Sequence, residues 1–152
     1  MTDQREDILA ALFAALQRIP DIELCERNRT HPIPDETASA LVMIDGDLDG
    51  ETDREDALAA GREVTFPMTL MPRVWGYVEG SSETIGTKTN ALFAKVKRAL
   101  FRDTEFRHAI GIHGGRVRVL GAAFPTPEKA TSPAAGAFMV YVAIPYDDDP
   151  FN

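Results

Sequence analysis

The sequence predicts an α+β fold: a mostly antiparallel or mixed sheet with two helices packed on one face, in the order α-β-β-β-α-β-β. Two observations predict it. Apolar residues recur at helical spacing in two stretches, and five short runs rich in β-branched and aromatic residues lie between and after them. A third observation sets the scale. At 152 residues, 44% hydrophobic and 26% charged, with no repeat and no dividing linker, the chain fits one domain with a core of its own.

The first element is a helix of about sixteen residues, judged from its apolar period. Ile8, Leu9, Leu12, Phe13, Leu16 and Ile19 form one stripe; Asp3 caps its start with Glu6 three residues on, and Pro20 stops it. Ile22-Glu23-Leu24-Cys25-Glu26-Arg27 then alternates as a half-buried strand does. His31-Pro32-Ile33-Pro34 ends that run, because two prolines resist helix and inner strand alike. Ala40-Leu41-Val42-Met43-Ile44 reads as a short strand covered on both faces, and residues 45–62 as a long acidic connection with one helical turn around Ala57.

Residues 63–79 read as a long strand or a bent pair. Val64, Phe66, Met68, Leu70, Val74 and Val78 share one face, Trp75 and Tyr77 the other, and Pro67 and Pro72 mark an edge or a bend. A second helix covers 82–101, with Ile85, Leu92, Val96 and Leu100 inward, Lys88, Lys95 and Arg98 outward, and Ser81 or Ser82 as its cap. Beyond a loop, 116–120 and 137–144 supply the last two strands. Residues 125–136, rich in Pro, Ala, Ser and Thr, read as a flexible arm, and 147–152 as a frayed end. Two connections of a dozen or more residues are long for so small a domain, and a function has to account for them.

The formal net charge of −8 argues against a protein that grips nucleic acid, which uses basic patches to release phosphate counterions. A negative wall suits a duct instead, since it repels phosphate and prevents sticking. Charge is also segregated along the chain. Asp45, Asp47, Asp49, Glu51, Asp53, Glu55 and Asp56 form one acidic run and Asp147, Asp148 and Asp149 another, whereas 88–118 is comparatively basic. Such segregation is either solvated surface or a pair of faces that meet across an interface. No apolar run approaches the roughly 20 residues of a membrane helix. The charged start of the chain lacks a signal peptide's pattern, and with Cys25 as the single cysteine this predicts folding in a reducing cytoplasm.

Asp45-Gly46-Asp47-Leu48-Asp49-Gly50 sets carboxylates at positions 1, 3 and 5 of a calcium-type loop, with Asp53 and Asp56 at 9 and 12 and Gly50 at the turn. Against it, Asp56 reaches less far than a glutamate, Thr52 stands where an apolar residue is usual, and a strand precedes the loop where a helix is required. A solvated acidic loop is the simpler reading. Gly111-Ile112-His113-Gly114-Gly115 lacks the spacing of a phosphate loop and reads as a turn. His31, His108 and His113 match no metal or catalytic spacing, Cys25 reads as a small core residue, and no Gly-x-Ser-x-Gly elbow is present. No catalytic residue and no cofactor site emerge. Trp75 and Tyr77 remain: either a second small core beneath a loop, or an interface anchor.

The helix ending Ile19-Pro20, the run 22–27, the proline-bearing approach to Ala40–Ile44, the long strand 64–78, the helix carrying Leu92, Val96, Lys97 and Leu100, and the closing Val142-Ala143-Ile144-Pro145-Tyr146 together resemble the lambda-type siphophage tail terminators, also called minor tail or tail completion proteins. The likeness spans almost the whole chain and lies in the layout. It implies a homohexameric ring on the completed tail tube, which halts addition of tube protein and presents a surface to the head–tail connector. It also implies a place at the head-proximal end of the virion tail, assembly in the host bacterial cytoplasm, DNA passing without specific binding, and no membrane. Interface or lumen candidates are then Asp45, Asp47, Asp49, Glu51, Arg73, Trp75, Tyr77, Lys95 and Arg98. Another connector or tail subunit, or a calcium-binding interaction module, are the competing readings.

Overall fold

A computed structural model describes residues 3–50, 66–111, 117–124 and 134–148. Helix α1 (Gln4–Gln17) begins where extended Asp3 accepts a hydrogen bond from the Arg5 amide at 3.1 Å. Glu6, expected to complete that cap, is drawn to Arg27 across the fold at 2.7 and 2.9 Å. A charge-assisted fork outcompetes a single amide. Ile8, Leu9, Leu12, Ala15 and Leu16 are buried as the apolar period requires, and the helix ends before Pro20.

Strands β1 (Leu24–Arg27), β2 (Ser39–Gly50), β3 (Phe66–Gly80), β4 (Arg118–Ala123) and β5 (Ala134–Asp148) form one sheet in the order β1-β2-β3-β5-β4. β1 runs parallel to β2 and the other pairings are antiparallel, so the sheet is mixed, as expected. Met68, Leu70, Val74 and Val78 of β3 and Phe138, Val140, Val142, Ile144 and Tyr146 of β5 are buried in one core beneath the helices. Helix α2 (Ile85–Arg102) adds Leu92, Val96 and Leu100, and Thr89, whose hydroxyl donates to the Ile85 carbonyl at 2.7 Å. Gly76 lies flat under the Phe138 ring, where an added Cβ would collide with it. Thr84 rather than the expected Ser81 or Ser82 stands at the N-cap of α2, with no side-chain capping bond; the Ser81 hydroxyl accepts from the Thr84 amide at 3.2 Å, in the turn before the helix.

Four further expectations need correction. A third helix, α3 (Thr104–Ile110), stands where a loop was expected: Asp103 caps it by accepting from the Phe106 amide at 2.9 Å, and Phe106 and Ile110 are buried. The same face therefore carries three helices among the described residues. The acidic connection does not begin at Asp45, because β2 continues to Gly50. Gly46, at φ 71°, makes this possible within a register shift between Ile44 and Asp47. An added Cβ there would collide with the Met71 carbonyl. The arm expected over 125–136 gives way to strand at Ala134, and the frayed end expected from Asp147 is still strand at Asp148, opposite Phe66. Ladder pairing with β3 satisfies these backbones despite poor strand formers. Residues 1–2, 51–65, 112–116 (with most of the turn expected over 111–115), 125–133 and 149–152 lie outside the described residues.

Candidate docking surfaces

Two surfaces stand out: the sheet face turned away from the helices, and a groove between two helix ends. Strand alternation builds the first. Register aligns Ala40, Tyr77 and Ala137 in one row, Val42, Trp75 and Met139 in the next, and Ile44, Arg73 and Tyr141 in a third. Trp75 and Tyr77 are half-buried and stack with ring centroids 5.7 Å apart and planes 18° from parallel. The Tyr77 hydroxyl donates to Glu79 at 2.8 Å. Burial, aided by that bond and the Glu79 charge, pushes the phenol up to about 12, so it is a neutral donor at any physiological pH. Tyr141 is 41% exposed. Among the described residues no helix covers this face; Ala40, Val42 and Ala143 are buried within it, Trp75 and Tyr77 half-buried, and Arg73 is exposed among them.

The acidic candidates divide between faces. Asp45 belongs to the helix side: Arg27 grips it at 2.7 and 3.0 Å, and its amide donates to the Asn28 side chain at 2.9 Å. The Arg27 guanidinium holds the Asp45 carboxyl below its ordinary value against the opposing effect of burial, and Glu6, then Asp45, strengthen the guanidinium's own hold on its proton. Asp45 is thus a structural ion-pair residue that ties β2 to β1 and, through Glu6, to α1. Beyond the shift, Asp47 pairs with Met71 on the open side, and Asp49 is in register with Thr69. The first three carboxylates of the candidate calcium loop therefore lie in a paired strand, with Asp45 and Asp47 on opposite faces. Glu51, Asp53 and Asp56 are outside the described residues. Among the described residues no three of His, Cys, Asp and Glu gather as a metal cluster. Cys25 packs against the helix-side core, and burial, then the Glu26 charge, pushes its thiol up to about 11.

The groove, about 300 Å³, opens between the C-terminal ends of α1 and α2. Ala15, Ile19, Pro20 and Ala99 give it an apolar floor, and Arg18, Lys95, Arg98 and Arg102 a basic rim. Arg18 is already engaged, by Asp103 at 2.6 Å and Glu105 at 3.0 Å. The Arg18 contact holds the Asp103 carboxyl below its usual value. Lys95, Arg98 and Arg102 make no ion pair among the described residues. Sequence reasoning found Lys95 and Arg98 as outward cations but missed the groove, because its floor comes from a second helix about eighty residues away in the chain.

No family model matches this chain, and no curated protein matches it. Among solved structures it is similar to the sheath/tube terminator of an extracellular contractile injection system, PVC, seen by cryo-EM in its extended state. That likeness has a TM-score of 0.40 and 11% sequence identity, and covers 95% of this chain. The chain spans 57% of the length of that terminator.

Proposed function

We propose that this chain is a structural subunit of a phage-type tail. It forms a ring that caps the tail tube, stops its polymerisation and docks it to the head–tail connector. The observation that carries this reading is the open sheet face, where stacked Trp75 and Tyr77 stand between Val42, Met139 and Tyr141 with no helix over them among the described residues. A face of this composition is built to meet protein, because aromatic side chains with a polar tip supply contact area at low entropic cost. The element order, which resembles the tail terminators, supplies the kind of assembly. Function then resides in surfaces, with no bond made or broken and no cofactor. Acidic residues turned toward the ring's passage repel phosphate, so DNA moves through without adhering.

The test is a polymerisation assay with purified tail tube protein. Added chain is expected to shorten the tubes seen in negative stain, to appear as a cap at one end, and to sediment as a multi-subunit species. Tubes of unaltered length with no cap at either end would defeat the proposal.

A further inference from the structure

We propose that the groove between α1 and α2 receives the segment Asp148-Asp149-Pro150-Phe151 of a second copy of this chain. The inference rests on the assembly reading above and assigns one of its contacts. Two features of the groove fit this occupant. Lys95, Arg98 and Arg102 form a rim of cations without ion-pair partners among the described residues, and the floor of Ala15, Ile19, Pro20 and Ala99 is apolar. A matching ligand carries carboxylates next to one large apolar group. Asp148, Asp149 and Phe151 supply that combination within four residues.

Register favours an occupant from another copy. The groove lies beside Pro20, one residue from Asp21, whose carbonyl accepts from the Ser39 hydroxyl at 3.2 Å. Ser39 is opposite Val78, whereas Asp148 is opposite Phe66. Those two positions are twelve residues apart on β3, or about 40 Å of strand at the usual rise. Phe151, three residues beyond Asp148, reaches at most about 11 Å from it. The attachment point at Asp148 is thus far along the strand from the Pro20 edge of the groove, and a second copy brings the segment to the groove without that span. A contact that joins opposite ends of two identical subunits is head-to-tail, and it closes into a ring when the rotation between copies allows.

Complementary variants of the full chain test this. The groove variant carries Arg98→Glu and Arg102→Glu; the segment variant carries Asp149→Lys and Phe151→Ala. Arg98 and Arg102 are exposed, so the groove variant is expected to keep the parent's circular dichroism and melting, which checks folding. In sedimentation velocity the parent is expected to self-associate, more weakly as salt rises. Each variant alone is expected to lose association by about tenfold or more. Mixed one to one, they are expected to form a dimer and nothing larger, since one intact groove then meets one intact segment. Variants that assemble like the parent would overturn the groove assignment and leave the ring reading standing. A parent that stays monomeric at every concentration and caps no tube would overturn both. Variants that still self-associate but no longer cap tubes would give the groove to the tube protein and overturn the assignment to a second copy.

Discussion

Leu70 and Trp75 lie on the same strand, β3, and on opposite faces of one sheet. Leu70 is fully buried beneath the helices, where neighbours from its own chain surround it. Trp75 is half-buried, stacked on Tyr77, with Val42 and Met139 to its sides. One face has spent its apolar residues on folding. The other keeps its aromatic pair only half-buried, and under the proposed assembly reading that difference separates stability from assembly within a single strand.

Substitution on the two faces should therefore break the molecule in two different ways. Leu70→Ala removes side-chain volume from a closed core and is expected to cost about 2–5 kcal/mol, read by urea denaturation of dilute protein. Trp75→Ala loses a stacking partner and half-covered area, about 1–2 kcal/mol, yet should reduce self-association and tube capping far more than Leu70→Ala does in the protein that remains folded. Equal loss of stability at both positions, with assembly unaffected by Trp75→Ala, would remove the distinction.

Next in size is the ion-pair link that closes the helix-covered side. Arg27→Met leaves Asp45 without its guanidinium partner, and partial exposure keeps the expected cost to about 1 kcal/mol at neutral pH. The pH dependence follows from the direction of the Asp45 shift. Its carboxyl is held below its ordinary value in the folded chain, so the contribution is complete above the unfolded value near 4 and disappears as pH falls through the lower folded value. Denaturation curves of parent and Arg27→Met should accordingly differ most near pH 7 and converge toward pH 2. A difference that grows in acid would contradict the assignment.

The parity of β3 was legible because a buried face must repeat every second residue, and the stripes of α1 and α2 because a buried helix face must repeat about every 3.6. Elements too short or too polar to show a period were not. Helix α3 has seven residues and two buried side chains, too few for a stripe, although Asp103 before Thr104 and Gly111 after Ile110 were its start and stop signals. The end of β2 was hidden by Asp and Gly, which strands disfavour until a partner such as β3 supplies the ladder. Asp45 illustrates what one chain cannot disclose about its surface. Its neighbours in sequence suggest an acidic loop, but its partner Arg27 comes from another strand and shares it with Glu6 of α1. Only the packing of three elements turns a candidate lumen residue into a structural one.

The smallest expected effect sharpens the same comparison on β1. Cys25 packs toward the helices, while Leu24 and Glu26 flank it in register with Ala40 and Val42 of the open side. Its thiol is pushed up from 9.0 to about 11, chiefly by burial. At pH 8 that leaves about a hundredfold less thiolate than an unperturbed cysteine, and the thiolate is the reacting species. A disulfide reagent should therefore modify native Cys25 at least about a hundredfold more slowly than the urea-unfolded chain, with no change in sedimentation before modification. Leu70→Ala, which loosens the covered side, should accelerate the reaction, and Trp75→Ala should leave it nearly unchanged. Rapid labelling of the native parent would mean that the face beneath the helices is open to solvent, and the contrast between a closed face and an open one would then fail at β1.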